Sequence, residues 1–266
     1  MIESLKHLWR LKSYRARLVD GIANDLRTRY VGSVMGVMWV VMFPLMQLTI
    51  YGMLYSVIFR IRVPGLTELE YVVLVFSGLV PLMAFSETLN GALNSLSSNK
   101  SLLLNTVFPA ELIPMRAAIG YHIPSLFGLS ATLTMGYLTG LTDYKAIFLV
   151  PIFWTFLVMF SLGIGWILSL VSLILKDIQH GISLVIMSLF FLSPFAYTPD
   201  MVPQGLKFIL YFNPLSYFVM TFQQIICYGA WPDPVNFIPC IVLGTVSFIC
   251  GFHFFQKSKN VFFDYA

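Results

Sequence analysis

The sequence is poor in charged residues. Only 11% of its 266 residues are Asp, Glu, Lys or Arg, whereas a soluble domain typically carries about 25%. Hydrophobic residues make up 58% of the chain, and the mean hydropathy is +0.82. This composition argues against a water-soluble fold. Because each membrane span takes about 20 apolar residues, several spans leave no room for a sizeable soluble domain. We therefore predict a single membrane domain over residues 1–266.

Motifs for nucleotide binding, hydrolysis and metal binding are also missing. No Gly is followed by Lys, so the GxxxxGK[ST] loop that cradles nucleotide phosphates is absent. HExxH, GxSxG and paired carboxylates on one intramembrane helix face are absent too. Cys227, Cys240 and Cys250 lack metal-ligand spacing, so we expect free thiols. An enzyme is disfavoured, no metal or cofactor is expected on this chain, and any ATP with its Mg²⁺ must be bound by another subunit.

Long apolar runs predict an all-α integral membrane protein with six transmembrane helices. Because the runs are continuous and do not alternate at period two, helices are the form that satisfies the backbone in lipid. A long polar stretch precedes the first run, unlike a cleavable signal peptide, so the first helix should be retained. The predicted spans are residues 34–59, 71–96, 113–138, 146–175, 182–197 and 237–255.

The distribution of Lys and Arg predicts the orientation, because cytoplasmic flanks are enriched in them. With six spans and a cytoplasmic N-terminus, the outer side receives only Arg60, Arg62, Lys145 and Lys207 of the 16 basic residues. An odd number of spans would move Lys257 and Lys259 outside and weaken this bias. Both termini are therefore predicted to be cytoplasmic. The cytoplasmic set is Lys6, Arg10, Lys12, Arg15, Arg17, Arg27, Arg29, Lys100, Arg116, Lys176, Lys257 and Lys259.

The segment before the first span, residues 1–31, predicts an amphipathic helix on the cytoplasmic membrane surface. Its apolar residues recur at helical spacing with Lys and Arg between them. An ordinary positively charged flank is the alternative. The apolar positions are Leu8, Leu11, Tyr14, Leu18, Ile22, Leu26 and Tyr30.

The connection between the fifth and sixth spans, residues 198–236, is too apolar for a plain loop. Its two apolar stretches, 201–212 and 217–228, are too short to cross a bilayer at 1.5 Å per residue. Asn213 and Pro214 between them indicate a break between two short helices. We predict an outer re-entrant helical hairpin that separates spans one to five, within residues 32–197, from the last span and cytoplasmic tail, 237–266.

Aromatic residues follow one another along the first span at multiples of four. In a water-filled path, aromatic faces stack on the C–H faces of sugar rings, and Tyr hydroxyls and Gln amides exchange hydrogen bonds with sugar hydroxyls. Such weak, repeated contacts suit a sliding polymer, whereas helix packing or an interfacial aromatic belt is the alternative. The stripe comprises Trp39, Phe43, Gln47, Tyr51 and Tyr55, and the fifth span adds Phe190, Phe191, Phe195 and Tyr197.

Glu87 and His122 are the candidates for functional ionisable residues deep within the predicted spans. A buried charge in a membrane is costly and is usually retained for a purpose. Glu87 could face a polar cavity, although the polar residues that follow it favour a position near the cytoplasmic surface. For His122 we predict an interhelical hydrogen bond in preference to a proton relay.

Several local patterns resemble the transmembrane subunit of ABC type 2 polysaccharide exporters, the permeases of O-antigen, capsular polysaccharide and teichoic acid. The opening pattern is RTRYVGSVMGVMWVVMFPL at 27–45, with Tyr30, Ser33, Gly36, Trp39 and Pro44 in matching places. Further similarity lies in SGLVPLMAF from Ser77, FPAELIP from Phe108 and the Lys176–Asp177–Ile178 triplet. SPFAYTPDMVP and YFNPLSYF resemble the outer re-entrant segment. The resemblance covers about residues 27–228.

This resemblance implies a homodimer in the bacterial inner membrane, bound to two copies of an ATPase subunit. The substrate would be a lipid-linked polysaccharide, a periplasmic adaptor could join the assembly, and no nucleic acid is expected. Coupling to the ATPase would involve the surface helix, the loop from Lys100 to Glu111 and the basic-acidic pair after the fourth span. The residues assigned to coupling are Arg27, Arg29, Lys100, Glu111, Lys176 and Asp177.

Other transport and enzyme classes remain as alternatives. An ion-coupled secondary transporter would need a relay such as Glu87 with His122. An intramembrane enzyme acting on lipid-linked sugars is a third class. An exporter of a drug or small lipid is an alternative within the resembled family.

Overall fold

The computed structural model describes residues 14–61, 63–105 and 108–259, and across these ranges the regular structure is helical, without strands. A short 3₁₀ turn, Gly36–Met38, leads into the second helix, which continues as a π-helix over Met53–Ile58. The α-helices are α1 Arg15–Thr28, α2 Trp39–Gly52, α3 Glu68–Ser98, α4 Lys100–Asn105, α5 Leu112–Leu138, α6 Ala146–Ile174, α7 Ile178–Leu192, α8 Phe208–Phe212, α9 Pro214–Cys227 and α10 Pro234–Ser258.

Local side chains define where the principal helices begin. Thr67 and Glu70 form a capping box at the start of α3, in which the Thr67 amide donates to Glu70 Oε2 at 2.7 Å. Asn213 and Asp233 each accept an amide hydrogen bond at the N-terminus of α9 and α10. A proline follows each of them at the first helical position, where its missing N–H costs no hydrogen bond.

Helix α3 forms the centre of the domain. In its most apolar stretch 78% of the residues are buried, and it packs against α5, α6 and α9. Helix α10 lies along α6, and Gly163, Gly244 and Gly251 allow the two backbones to approach closely. A Cβ atom on Gly244 would lie 2.7 Å from the carbonyl oxygen of Phe156. Small residues are therefore required at this helix pair, as is common in membrane bundles.

Within the described ranges, four helices are long and apolar enough to cross a membrane. Helix α5 is long enough, since its 27 residues correspond to about 40 Å at 1.5 Å per residue, but it is not apolar enough. It carries Arg116, His122 and several hydroxyl residues, which lower its hydropathy. Helix α7 has only 15 residues. The four are Gly36–Ile58, Glu68–Ser98, Ala146–Ile174 and Pro234–Ser258.

The predicted boundaries of the fifth span, residues 182–197, are wrong. Helix α7 begins at Ile178 and ends at Leu192. The helix stops before Pro194, because a proline disfavours helical geometry in the residue before it, here Ser193. The Asn213 side chain then fixes the turn by donating to the Leu189 carbonyl at 3.0 Å and to Ser193 Oγ at 2.8 Å.

The segment between α7 and α10 contains the predicted break at Asn213. Two 3₁₀ turns, Pro199–Met201 and Gln204–Leu206, precede α8, and α9 follows after Asn213. Helix α9 is largely buried, with Phe218 and Phe222 almost fully enclosed by the core. The second short helix is therefore part of the core of the domain. Its re-entrant position in a membrane stays a prediction.

Helix α1 packs against α5 at the end of the molecule where α3 finishes. Ile22 is its buried residue, and Asp25 forms an ion pair with Arg116, whose Nε lies 2.7 Å from Asp25 Oδ2. Residues 1–13 of the predicted surface helix, with Leu8 and Leu11, lie outside the described residues. Four of the basic residues used to predict the orientation lie outside them too, namely Lys6, Arg10, Lys12 and Arg62.

Candidate functional site

Aromatic side chains from α2 and α7 meet at one side of the domain. Tyr51 stacks on Tyr55 with ring centroids 6.4 Å apart, and its ring lies 6.2 Å from that of Phe190. Tyr55 is 5.7 Å from Phe195 and 5.6 Å from Phe59 in edge-on geometry. Phe190 and Phe195 are 5.0 Å apart. We call Tyr51, Tyr55, Phe59, Phe190 and Phe195 the aromatic cluster.

Hydrogen bonds outside the cluster hold the chain that carries Phe195. The Tyr71 hydroxyl donates to the Ala196 carbonyl at 2.8 Å, and Gln223 Nε2 donates to the Pro194 carbonyl at 2.9 Å. Gly78 of α3 permits this close approach, since a Cβ there would lie 2.9 Å from the Phe195 Cα. The turn after α7 is thereby held against the centre of the domain.

The predicted stripe divides into two parts. Tyr51 and Tyr55 contact Phe190 and Phe195 respectively, and Phe59 belongs with them although no sequence pattern singled it out. Phe195 is only 3% exposed, so it supports the other rings from beneath, whereas Phe191 is 66% exposed and lies 5.9 Å from Phe190. Phe195 is thus a buried member of the aromatic cluster, and Phe191 is an exposed residue beside it.

The other predicted stripe residues lie apart from the cluster. Trp39 donates through Nε1 to Ser33 Oγ at 2.9 Å. Phe43 and Gln47 line a small groove that also includes Glu87. The Tyr197 hydroxyl donates back to the Leu192 carbonyl at 3.1 Å, at the end of α7.

A polar cleft lies at the opposite end of α3, beside α1 and the start of α5. Its volume is about 310 Å³. Arg116, which pairs with Asp25, also donates through Nη2 to Asn99 Oδ1 at 2.7 Å, while the Arg29 guanidinium lies 3.9 Å from the Tyr121 ring centroid. Burial raises the pKa of the Asp25 carboxyl, and Arg116 and Arg29 oppose that rise.

Five of the six residues predicted to couple to an ATPase are exposed. Arg27 and Arg29 end α1, and Lys100 starts α4 next to the cleft. Lys176 and Asp177 precede α7, whose Gln179 donates to Asn94 of α3 at 2.8 Å. This hydrogen bond brings the basic-acidic pair to the same end of the domain as the cleft.

Glu111 is different because it is only 3% exposed. Its backbone carbonyl accepts a hydrogen bond of 3.0 Å from Trp166 Nε1, and its carboxylate lies 3.8 Å from Lys259 Nζ. A direct contact between the Glu111 side chain and another subunit would therefore require rearrangement. The structure instead places Glu111 between the start of α5 and the end of α10.

The predicted hydrogen bond of His122 is wrong. The residue is buried, and within the described ranges neither ring nitrogen has a hydrogen-bond partner. Its ring instead lies 5.4 Å from the Trp154 ring in edge-on geometry. Glu87 is half-buried at the groove formed with Phe43 and Gln47. His122 and Glu87 are thus not joined by a direct hydrogen bond.

The helical bundle, with its apolar spans and polar end, is that of a multi-pass membrane protein, and the sequence match identifies its class. Residues 22–227 match the ABC-2 type transporter family, and the chain belongs to that family. An O-antigen export system permease protein RfbA from Klebsiella pneumoniae is 27% identical over 264 residues, covering 97% of this chain and 98% of the relative.

Two further relatives are similar over most of their length. An O-antigen export system permease protein RfbA from Myxococcus xanthus is 25% identical, with 94% of this chain and 92% of the relative aligned. A polysialic acid transport protein KpsM from Escherichia coli is 22% identical, with 84% and 86% aligned. The longest of these alignments, with the Klebsiella pneumoniae protein, extends over both α9 and α10.

Proposed function

We propose that this chain is the membrane-spanning subunit of an ATP-driven exporter that moves a lipid-linked bacterial surface polysaccharide across the inner membrane. The carrying observation is the similarity to O-antigen export permeases over 97% of the chain. The aromatic cluster supports the proposal, because its ring faces and Tyr hydroxyls suit sugar contacts. ATP would be hydrolysed by a separate partner subunit.

The proposal includes six spans with both termini in the cytoplasm. Helix α5 would be the third span, since its length of about 40 Å exceeds the hydrocarbon thickness of about 30 Å. Helix α7 with the buried residues that follow it would be the fifth. Residues 198–236 would form the outer re-entrant segment. The asymmetry of Lys and Arg supports a cytoplasmic position for the polar cleft.

A homodimer would give the exporter its path. Helices α2 and α7 each leave large apolar side chains uncovered, including Phe43, Ile50, Met53 and Phe191. A second copy and lipid together would cover these faces. Because the aromatic cluster lies at the edge between α2 and α7, two clusters would then line a shared path. A polymer could slide along it through weak stacking and hydrogen-bonding contacts.

The cytoplasmic end would transmit the state of two ATPase subunits. The exposed coupling residues Arg27, Arg29, Lys100, Lys176 and Asp177 would contact these subunits, while buried Glu111 would hold α5 and α10 in register. Nucleotide binding would favour one arrangement of the dimer through contacts that differ between two states. A periplasmic adaptor would meet the opposite end, and no nucleic acid takes part.

The proposal is tested by purifying the chain from membranes of its own cells and identifying the ATPase that copurifies with it. We expect a complex of two copies of each subunit. A Tyr51→Ala/Tyr55→Ala variant should retain this assembly but lower the amount of surface glycan, with lipid-linked glycan accumulating inside. Val242→Ala/Val246→Ala on α10 is the control, because both side chains are exposed and belong neither to the cluster nor to the uncovered faces of α2 and α7. Unchanged export in the tyrosine variant would remove the cluster from the path, and failure to recover any ATPase would contradict the exporter assignment.

A further inference from the structure

A second large cavity lies at the end of the domain opposite the polar cleft, and we call it the outer cavity. Its volume is about 890 Å³, within the range of small-molecule binding sites. Helix α3 begins next to it and runs 31 residues, or about 46 Å, to the polar cleft. The loop before α3, the turns after α7, the end of α9 and the start of α10 enclose the cavity.

The polar lining of the outer cavity consists of carboxylates, amides and hydroxyls. Among the lining residues that the structure describes, none is Lys, Arg or His. Asp200 and Asp233 thus contribute negative charge to the described lining. Its polar residues include Asp200, Asp233, Gln224, Asn236 and Tyr228.

Several of these polar groups have hydrogen-bonding capacity left for a ligand. Asn236 is only 9% exposed, and within the described ranges its side-chain amide has no hydrogen-bond partner. Gln224 accepts a hydrogen bond of 2.9 Å from the Asp233 amide through Oε1, which leaves its NH₂ group to donate. One Asp233 oxygen caps α10 at 3.0 Å from the Val235 nitrogen, and the other remains an acceptor.

This set of groups fits a sugar that carries hydroxyls and no charge. A carboxylate accepts from two neighbouring hydroxyls, and a side-chain amide both donates to and accepts from such a pair. Tyr228 is 54% exposed and offers a ring face to the C–H side of a pyranose. An acidic sugar would instead meet Asp200 and Asp233 as like charges, which disfavours binding.

We propose that the outer cavity is a binding site for an uncharged hexopyranose segment of the exported glycan. This inference rests on the proposed function and deepens it, since it assigns a neutral polymer as the substrate class. Asp200 sets the selectivity from the rim. Asn236 and Gln224 bind the sugar hydroxyls within the cavity, and Tyr228 stacks on a ring. The glycan thus has a second binding site after it leaves the aromatic cluster.

The test uses the full chain with its ATPase partner in lipid nanodiscs. The probes are six-unit oligomannose, oligogalactose and oligorhamnose, together with oligosialic acid, oligogalacturonate and CaCl₂ alone. Each probe is titrated against the complex, and its binding is measured by saturation-transfer NMR. We expect at least one neutral probe to bind and both acidic probes to bind more weakly. Asp200→Asn/Asn236→Ala should weaken neutral binding about tenfold through loss of a charged and a neutral hydrogen-bonding group.

Two further variants separate recognition from folding. Asp143→Asn is the control, because this carboxylate lies on the same side of the domain, pairs with Lys145 at 3.0 Å and does not line the cavity. It should bind neutral probes like the unmodified chain. Asp200→Lys should bring acidic oligosaccharides into the cavity, an effect that a general loss of stability would not produce. If the double variant Asp200→Asn/Asn236→Ala does not fold, Asp200→Asn alone replaces it in the binding test, because Asp200 is exposed.

Three results would overturn this inference: no neutral probe binds, the acidic probes bind as tightly as the neutral ones, or the cavity variants bind neutral probes unchanged. Saturable Ca²⁺ binding that requires Asp200 and Asp233, without sugar binding, would also overturn it. ATP-dependent glycan export is measured with the same purified complexes after reconstitution into liposomes. Continued export without sugar binding refutes the outer cavity alone, whereas absence of export by the unmodified complex refutes the proposed function.

Discussion

Helices α3 and α2 carry the same apolar signal in the sequence but have different surroundings in the fold. In the most apolar stretch of α3 78% of the residues are buried, against 22% for the span that contains α2. Each helix contains an internal proline, Pro81 and Pro44. Helix α3 is enclosed by α5, α6 and α9, whereas α2 packs mainly on α5 and leaves one face uncovered.

The difference shows that hydropathy identifies a membrane span without identifying what covers it. Lipid tails are as apolar as a neighbouring helix, so both environments select similar residues. Packing shape separates them, because a buried helix must match its neighbours atom by atom. Substitutions on α3 should therefore affect stability far more than the same substitutions on the peripheral helices.

The largest effect is expected from truncating a buried ring of α3. Phe85 is 1% exposed and stacks on Phe160 with centroids 5.3 Å apart. Phe85→Ala should lower the free energy of unfolding by about 3 to 5 kcal/mol, because it leaves a cavity. Phe43→Ala on α2 is the matched change, since Phe43 is 46% exposed. Unfolding in detergent checks both, and equal losses would break the distinction between the two helices.

A smaller loss is expected from filling a close helix contact. Gly78→Leu on α3 would drive its side chain into the Phe195 backbone and Val219, which lie 2.9 Å from the position of a Cβ. Overpacking of this kind costs about 1 to 3 kcal/mol. Gly181→Leu on peripheral α7 is the matched change, because a Cβ added at Gly181 meets no atom within 4 Å. The melting temperature of Gly181→Leu in the same detergent should match that of the unmodified chain, and a large drop would contradict the peripheral position of α7.

The smallest effect concerns α1, another peripheral helix. Asp25→Asn removes the ion pair with Arg116, whose side chains are 28% and 12% exposed. Solvent screening limits the expected loss to about 1 kcal/mol. Protease sensitivity of α1 should rise, whereas exposed Asp20→Asn should leave it unchanged. An equal response of the two variants would show that the ion pair does not attach α1 to α5.

Sequence reasoning identified the all-helical class and the break at Asn213 because continuous apolar runs and an Asn-Pro pair act locally. It also selected Tyr51, Tyr55, Phe190 and Phe195, which the fold brings together. Their contact could not be derived, because it depends on the turn after α7 and the close approach at Gly78.

Other features depend on partners distant in sequence. The outer cavity collects residues from four separate segments, although Gln223 and Gln224 within an apolar stretch were a usable signal. The wrong expectation for His122 has a related cause, since the sequence does not show that Trp154 takes the place of a hydrogen-bonding neighbour. Burial of Glu111 likewise follows from packing against Trp166, which is far away in the chain.

Reconstitution into liposomes tests the central claim most directly. The chain, alone or with its ATPase partner, is inserted into vesicles that contain fluorescent lipid-linked glycan in the outer leaflet, and protection of the glycan from an external glycosidase is followed after addition of ATP. We predict ATP-dependent protection only when both subunits are present with their cytoplasmic sides facing outward. Protection by the chain alone, or by the complex without nucleotide, would contradict a conduit that relies on a partner for its energy.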